Sequence, residues 1–378
     1  MSIIFVSSLN YNIGGAVQHR HQNYFKYLNE GNSLLVNLNN EKFQDENLQI
    51  ISFPKCTKII PWKIKILFLL FPMLIISFFK VKSNKILFCY DRNFIVLGTC
   101  FLFSKIFKIK LIHEITEYPD VVLDKDLSGL LTLNFFEKFF IKKIDGLVVI
   151  SRALYEYVSL RSNIKKVIVP SFVDLNNKVD MNYEIENRAI NFSYAGSLNQ
   201  QKDGVLDLVH AFNICKKNNI GIPMKLNIYG GGIDDQSKKI KGLIDSYDLN
   251  NQIILHGYKS KKEIERALEE ATVLLHCRPL SKQAKGGFST KLTEYLSTGK
   301  PVITTITSDI GRYCTNGENV FLVPPNDVSA FASQMSSIAN ELEFAKNVGV
   351  KGYYLAVKNF SAETNIVKLK NWMKENFL

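Results

Sequence analysis

Tryptophan is nearly absent from this sequence, with two in 378 residues, but the motifs it lacks exclude more than its composition does. Six cysteines (Cys56, Cys89, Cys100, Cys215, Cys277, Cys314) never form a C-x-x-C pair and have no histidine at ligand spacing. That argues against a zinc ribbon, a dithiol redox centre and a secreted disulfide scaffold, and points to reduced core thiols in a cytoplasmic protein. The glycine-rich stretch LNIYGGG (226–232) has the wrong order for G-x-G-x-x-G, so no dinucleotide cofactor is indicated. TGKP (298–301) follows a helical run and precedes an apolar one, the reverse of a P-loop, and no G-x-S-x-G elbow occurs. DKD (124–126) sits in a polar loop and reads as a solvated acidic turn, so no metal is expected. The start, MSIIFV, reads as a strand and has no basic leader region.

Acidic residues are scarce in one region. Residues 51–112 hold eleven lysines and arginines against Asp91 alone. Residues 1–172 carry 22 basic and 13 acidic side chains, a net +9, whereas 173–378 carry only +3 of the total +12. Such a block calls for an anionic partner. The basic residues alternate with long aliphatic runs and no nucleic-acid-binding motif appears, so a membrane surface is favoured over nucleic acid. Within the block, IKILFLLFPMLIISFF (64–79) is apolar all round, with Lys63, Lys80, Lys82 and Lys85 beside it. Sixteen residues, one of them Lys65, fall short of the ~20 needed to span a bilayer. Two readings fit: a buried helix, or a segment that meets anionic lipid at the interface, with contact through 58–85.

What the chain does have is rhythm. Apolar strand-like runs at 2–7, 33–38, 86–90, 109–113 and 146–150 alternate with helical patterns. After a polar, turn-rich interval (171–188) the alternation restarts, with strands at 190–195, 224–229, 252–256, 272–276, 301–305 and 319–323. A βαβα order implies parallel sheets covered by helices, and running it twice implies two doubly wound Rossmann-like α/β domains facing a cleft. We assign 1–172, with a returning helix at 361–378, to the first domain and 173–360 to the second.

Ligands of such sheets sit beyond the carboxyl ends of the strands, so the chemistry is sought in the loops there. Gly14 and Gly15 follow the first strand and lead into a helix, where backbone N–H groups can meet a phosphate. KLIHEITEYPD (110–120) puts His113, Glu114 and Glu117 at another strand end. FSYAGSLNQQKDG (192–204) carries Lys202 just before a helix start, placed to reach an anion or simply solvated. Gly230 closes a strand against which a base or ribose fits, or makes only a turn. GGFSTKLTEYLSTGKPVIT (286–304) sets Lys291 and Glu294 three apart on one helical face.

Taken in order, these segments resemble a family. The glycine pair, the mid-domain histidine, G-x-L-x(3)-K, Y-G-x-G and G-F-x-x-x-L-x-E-x-L-x-x-G-x-P-V together resemble the retaining GT-B glycosyltransferases of the family 4 type (group 1) over essentially the whole chain. VVISRAL (148–154), VIVPSFVD (167–174) and the last segment, SAETNIVKLKNWMKENFL, resemble the family's crossover and returning helix. The resemblance implies a bacterial enzyme that moves a sugar from a nucleotide-sugar to a glycan or lipid-linked acceptor in surface-polysaccharide assembly, at the cytoplasmic face of the inner membrane. The nucleotide-sugar is a substrate, so no cofactor is implied. Glu294 then holds the ribose diol, and Ser289, Thr290 and Lys291 meet the diphosphate. Lys202 stabilises the leaving nucleoside diphosphate, His113 meets a donor-sugar hydroxyl, and Gly15 closes over the phosphates.

Two departures stand out. The family's first glutamate would stand at Gly286, so the donor sugar faces Gly286, Gly287, Phe288 and Ser289 without a carboxylate. The arginine that follows the glycine in G-R-L is Ser197 here, which leaves Lys291 and Arg278 as substitute cations without an arginine fork in the same place. Two other functions share these features: a GT-B-fold sugar-nucleotide epimerase, and a non-enzymatic nucleotide-sugar or membrane-binding protein.

Overall fold

The computed structural model describes residues 1–13, 15–39, 43–46, 48–53, 62–82, 84–123, 126–175, 189–231 and 234–378. Gly14, Asp124 and the stretches 54–61 and 176–188 therefore lie outside the described residues. The chain divides into two units: Met1–Pro170 with Ala362–Leu378, and Ser171–Ser361.

The first unit is built on a seven-stranded sheet, β1 (Ser2–Ser7), β2 (Leu34–Asn37), β3 (Gln49–Ser52), β4 (Lys85–Tyr90), β5 (Lys110–Ile115), β6 (Gly146–Val149) and β7 (Lys165–Ile168), in the order β3-β2-β1-β4-β5-β6-β7. Every pairing is parallel. The interior strands β1 and β6 are buried along their whole length, as a sheet covered on both faces requires. The edge strands β3 and β7 went unrecognised in the sequence because Gln49 and Lys165 are exposed and each strand has only four residues. The helix Ala362–Phe377 belongs to this unit, with Trp372 and Phe377 covering Gly146 so closely that an added methyl there would lie 2.7 Å from the Phe377 ring.

The apolar stretch at 64–79 forms the helix Trp62–Lys80, which runs through Pro72. Ile66, Leu70 and Leu74 are buried, while Leu67, Phe68, Ile76 and Phe79 are exposed. The helix is therefore half core and half surface. Among the described residues, no helix is long and apolar enough to cross a membrane.

The second unit has six parallel strands: β8 (Ile190–Ala195), β9 (Met224–Tyr229), β10 (Ile253–Gly257), β11 (Val273–His276), β12 (Val302–Thr305) and β13 (Phe321–Val323), in the order β10-β9-β8-β11-β12-β13. Its core joins Phe192, Phe212, Leu226, Leu275, Ile303 and Phe331, all at most 1 % exposed. The strand order reverses between β8 and β11, whose register pairs Phe192 with Val273. In doubly wound sheets that reversal is where ligands bind.

Candidate functional site

At the reversal, β8 runs into Gly196 and a single helical turn, Gln200–Asp203, where the sequence suggested a loop. The Asn199 side chain caps this turn, accepting from the Lys202 N–H at 3.0 Å, and Gly204 ends it at φ 65°. A side chain at Gly204 would be strained by that φ, and its Cβ would lie 2.1 Å from the Cys277 carbonyl. The turn leaves Lys202 exposed and buries Asp203. On the neighbouring strand, β11 ends in His276 and leads to Arg278. Both are buried, and the Thr305 hydroxyl accepts from the Arg278 N–H.

Lys291 and Glu294 stand on the short helix Thr290–Leu296. The Lys291 ammonium donates to Asp203 Oδ1 at 2.6 Å; the lysine side chain is 20 % exposed and the aspartate 3 %. The lysine stem passes over Gly196, where an added Cβ would lie 2.0 Å from Lys291 Cε. Burial lowers the Lys291 pKa; Asp203 opposes that shift, and Lys202 and Arg278 add to it. Three cations therefore crowd one recess with Asp203 as the close counter-ion, an excess suited to a polyanion. His276 bridges Ser289 and Thr304 at 2.8 Å each. Burial, then Lys291 and Arg278, push its pKa well below the usual histidine value, so it is neutral.

Glu294 is different in kind. No side chain among the described residues hydrogen-bonds its carboxylate. Burial raises its pKa to about 7, against the pull of Lys291 and Lys261. A recessed carboxylate without a donor is matched by a ligand that brings two, as a ribose diol does.

Not every residue singled out in the sequence is available to a ligand. The Phe288 ring is 5 % exposed and packs edge-on to Tyr313 and against Phe360, so it serves the core. Gly286 ends the helix Lys282–Gly286 and is buried, with Gly287 as its cap. Ser289 and Thr290 are part-buried, and Ser197 is exposed. Gly230 has φ 143° and lies so close to Gly196 that a Cβ would meet its carbonyl at 1.7 Å. Neither Asp203 nor His276 stands out in the sequence as a site residue, although His276 ends β11 and Asp203 ends the helical turn that follows β8.

In the first unit, His113 and Glu114 are the last residues but two and one of β5, and the chemistry divides between them. Glu114 is 2 % exposed and accepts from Arg20 Nε at 2.9 Å and Tyr24 OH at 2.7 Å. Burial raises its pKa, but Arg20 and His21 outweigh that and hold it at about 2. Arg20 also donates to the carbonyls of Pro170 and Val169. Glu114 is therefore braced as an interior strut, while it also lines the recess in which His113 stands. His113 Nδ1 lies 2.8 Å from the Cys89 carbonyl, which fixes the proton on Nδ1 and leaves Nε2 as an acceptor. Burial lowers its pKa to about 4. It lines a recess with Tyr90, Asp91, Thr116 and Phe136. At the rim Glu117 pairs with Arg92 at 3.8 Å. Gly15 caps the helix Ala16–Leu28. Among the described residues, no group of three His, Cys, Asp or Glu side chains is placed to hold a metal ion.

The sequence profile described as "Glycosyl transferases group 1" matches residues 189–341, which span the second sheet and its site. Over 111 residues the chain is 30% identical to the putative colanic acid biosynthesis glycosyltransferase WcaL of Salmonella typhimurium. That alignment covers 29% of this chain and 27% of WcaL, so the similarity spans about a quarter of the curated relative. Among solved structures, HepE of Anabaena in complex with UDP and glucose superposes with a TM-score of 0.72 at 13% identity, covering 99% of this chain and all of HepE. The apo lipopolysaccharide outer core galactosyltransferase WaaB superposes at 0.70 and 15% identity, covering 99% of each chain. At such identities the structures establish a shared two-sheet GT-B fold.

Proposed function

We infer, from the premise that this chain carries a glycosyl transferases group 1 domain over residues 189–341, that the protein is a nucleotide-sugar-dependent glycosyltransferase of surface-polysaccharide assembly. It moves a hexosyl-type sugar to a glycan or lipid-linked acceptor, with retention at the anomeric carbon. The observation that carries the reading is the pairing of a cationic recess (Lys202, Lys291, Arg278) with the donor-less carboxylate of Glu294. A nucleoside diphosphate answers both, its phosphates meeting the cations and its ribose diol meeting Glu294.

Chemistry follows from charge. As the glycosidic C–O bond breaks, negative charge gathers on the departing diphosphate, and fixed cations in a recess lower that barrier without reorganising. Lys202, Lys291 and Arg278 supply the neutralisation, so turnover needs no divalent ion. Neutral His113 offers Nε2 to a donor-sugar hydroxyl, and Ser289 faces the sugar where the family's first carboxylate is missing. The remaining burden is positioning of the acceptor hydroxyl.

The first unit supplies a membrane contact. The helices Trp62–Lys80, Phe94–Ile106 and Leu127–Phe135 expose Leu67, Phe68, Phe79, Leu102, Leu127 and Leu130. Exposed Lys80, Lys82, Lys105 and Lys108 belong to the first two of these helices and the turns after them, and exposed Lys142 and Lys143 stand on the short helix Ile141–Lys143, which follows the third through residues 136–140. Apolar insertion with a lysine fringe suits an anionic leaflet, at about 1 kcal/mol per basic residue near the surface, and sets the enzyme at the cytoplasmic face.

Thermal-shift measurements with UDP-, GDP- and ADP-sugars test the donor class, because a ligand at 100 times its Kd adds about 2.7 kcal/mol to the native state. Glu294→Ala should abolish donor turnover, and undiminished turnover in that variant would remove the basis of the reading. Failure to co-sediment with anionic liposomes at low salt would remove the membrane contact alone.

A further inference from the structure

The Lys291–Asp203 pair has a property that a purely structural ion pair does not need. Asp203 is almost fully enclosed and offers Oδ1 to the lysine, yet among the described residues its buried Oδ2 has no hydrogen-bond partner. The lysine end is the open end of the pair. Its path is reserved by Gly196, since a Cβ there would collide with Lys291 Cε and come within 2.8 Å of Nζ. Gly196 is in turn pressed from behind by Gly230. The ammonium also lies 5.7 Å from the centre of the Tyr194 ring. Backbone, ring and carboxylate thus hold one lysine folded back at the mouth of the recess where Lys202 and Arg278 also act on it.

We propose that Asp203 is a positioning residue for donor binding, which holds the Lys291 side chain parked over Gly196 until a diphosphate takes the ammonium from it. The proposal rests on the transferase reading given above and deepens it. In the empty recess, Lys202, Arg278 and the loss of water all disfavour the ammonium, and Asp203 is the group that opposes them. The groups facing Lys291 are Lys202 and Asp203 from the Gln200–Asp203 turn, Tyr194 from β8, His276 and Arg278 at the end of β11, and Glu294 on its own helix. His276 is neutral and Glu294 gains its full charge only above about pH 7, so neither replaces Asp203. When a diphosphate enters, the ammonium moves from one anion to another without changing protonation, and Asp203 remains as an enclosed carboxylate that competes for it. Asp203 therefore moderates donor affinity at neutral pH and preserves it at alkaline pH.

The test measures binding of the nucleoside diphosphate that the wild type accepts (UDP, GDP or ADP), and of its nucleoside, by calorimetry from pH 6 to 9. In Asp203→Asn, Lys291 loses its counter-charge, so affinity for the diphosphate should fall more steeply than in the wild type between pH 7 and 9. Nucleoside affinity should follow the wild-type profile. A double-mutant cycle with Lys291→Met guards against misfolding artefacts, because Asp203→Asn should have no further effect once the ammonium is gone. Parallel pH profiles, equal losses of nucleoside and diphosphate, or an undiminished Asp203 effect in the Lys291→Met background would each overturn the proposal. A wild type that binds none of the three diphosphates overturns the transferase reading as well.

Discussion

Replacing Glu294 with glutamine should make the unliganded protein more stable and a poorer enzyme, and the size of the gain should depend on pH in one direction only. The Glu294 carboxyl titrates at about 7 in the fold against 4.5 ordinarily, because burial outweighs Lys291 and Lys261. Below pH 4.5 the group is protonated in both folded and unfolded chains, and it costs nothing. As pH rises to 7 the unfolded chain ionises while the folded one holds its proton, so wild-type stability declines across that window and levels off above it. About 2.5 units at 1.36 kcal/mol each set a ceiling of roughly 3 kcal/mol. Glutamine does not titrate, so Glu294→Gln should exceed the wild type by up to that amount at pH 8 and by almost nothing at pH 4.5. For a unit of 191 residues this corresponds to a Tm increase of roughly 6–12 °C at pH 8. Differential scanning calorimetry in buffers at both pH values reads it directly. The same variant should bind donor roughly ten- to a hundredfold more weakly, since a charged acceptor is exchanged for a neutral one. An increase in Tm of equal size at both pH values, or none at pH 8, would refute the assignment of Glu294 as a desolvated carboxylate waiting for its ligand.

Four further outcomes follow from the geometry. Glu114→Gln should destabilise the first unit by about 3–5 kcal/mol, because it leaves the Arg20 guanidinium buried against a neutral group; urea denaturation checks this. Gly204→Ala should cost at least 1–2 kcal/mol from its left-handed backbone alone, and more from contact with the Cys277 carbonyl, read as a lower denaturation midpoint. Phe68→Glu, on an exposed side chain, should reduce liposome co-sedimentation severalfold while leaving the Tm within about 1 °C, as surface changes do. Chelation with EDTA should leave donor turnover unchanged if Lys202, Lys291 and Arg278 carry the neutralisation.

The fold was legible because both kinds of element announce themselves locally. A strand such as Leu147–Val149 is an unbroken apolar run, and helix N-caps such as Ser151, Asn93 and Ser260 mark where the period changes. The edge strands β3 and β7 lack that signal, since half-exposed residues leave no apolar run to read. The site was legible only in part. Lys202, Lys291 and Glu294 could be picked out from residue type and spacing. Asp203 could not be joined to Lys291, because 88 residues separate them and only the pairing of β8 with β11 brings their loops together. Phe288 failed in the opposite sense: its place in a glycine-rich motif suggested a ligand contact, whereas Tyr313 and Phe360, distant in sequence, enclose it.

The helix Ala362–Phe377 has a consequence for how the protein is made. Its residues leave the ribosome after all of Ser171–Ser361, yet they complete the earlier unit, placing Trp372 and Phe377 over Gly146 and Lys370 beside Glu30. At roughly 5–20 residues per second, the first sheet waits roughly ten to forty seconds, about the time the second unit takes to emerge, with the surface around Gly146 uncovered. During that interval the nascent chain exposes apolar surface that a chaperone can hold, and the order of synthesis makes the earliest sheet the last to be sealed.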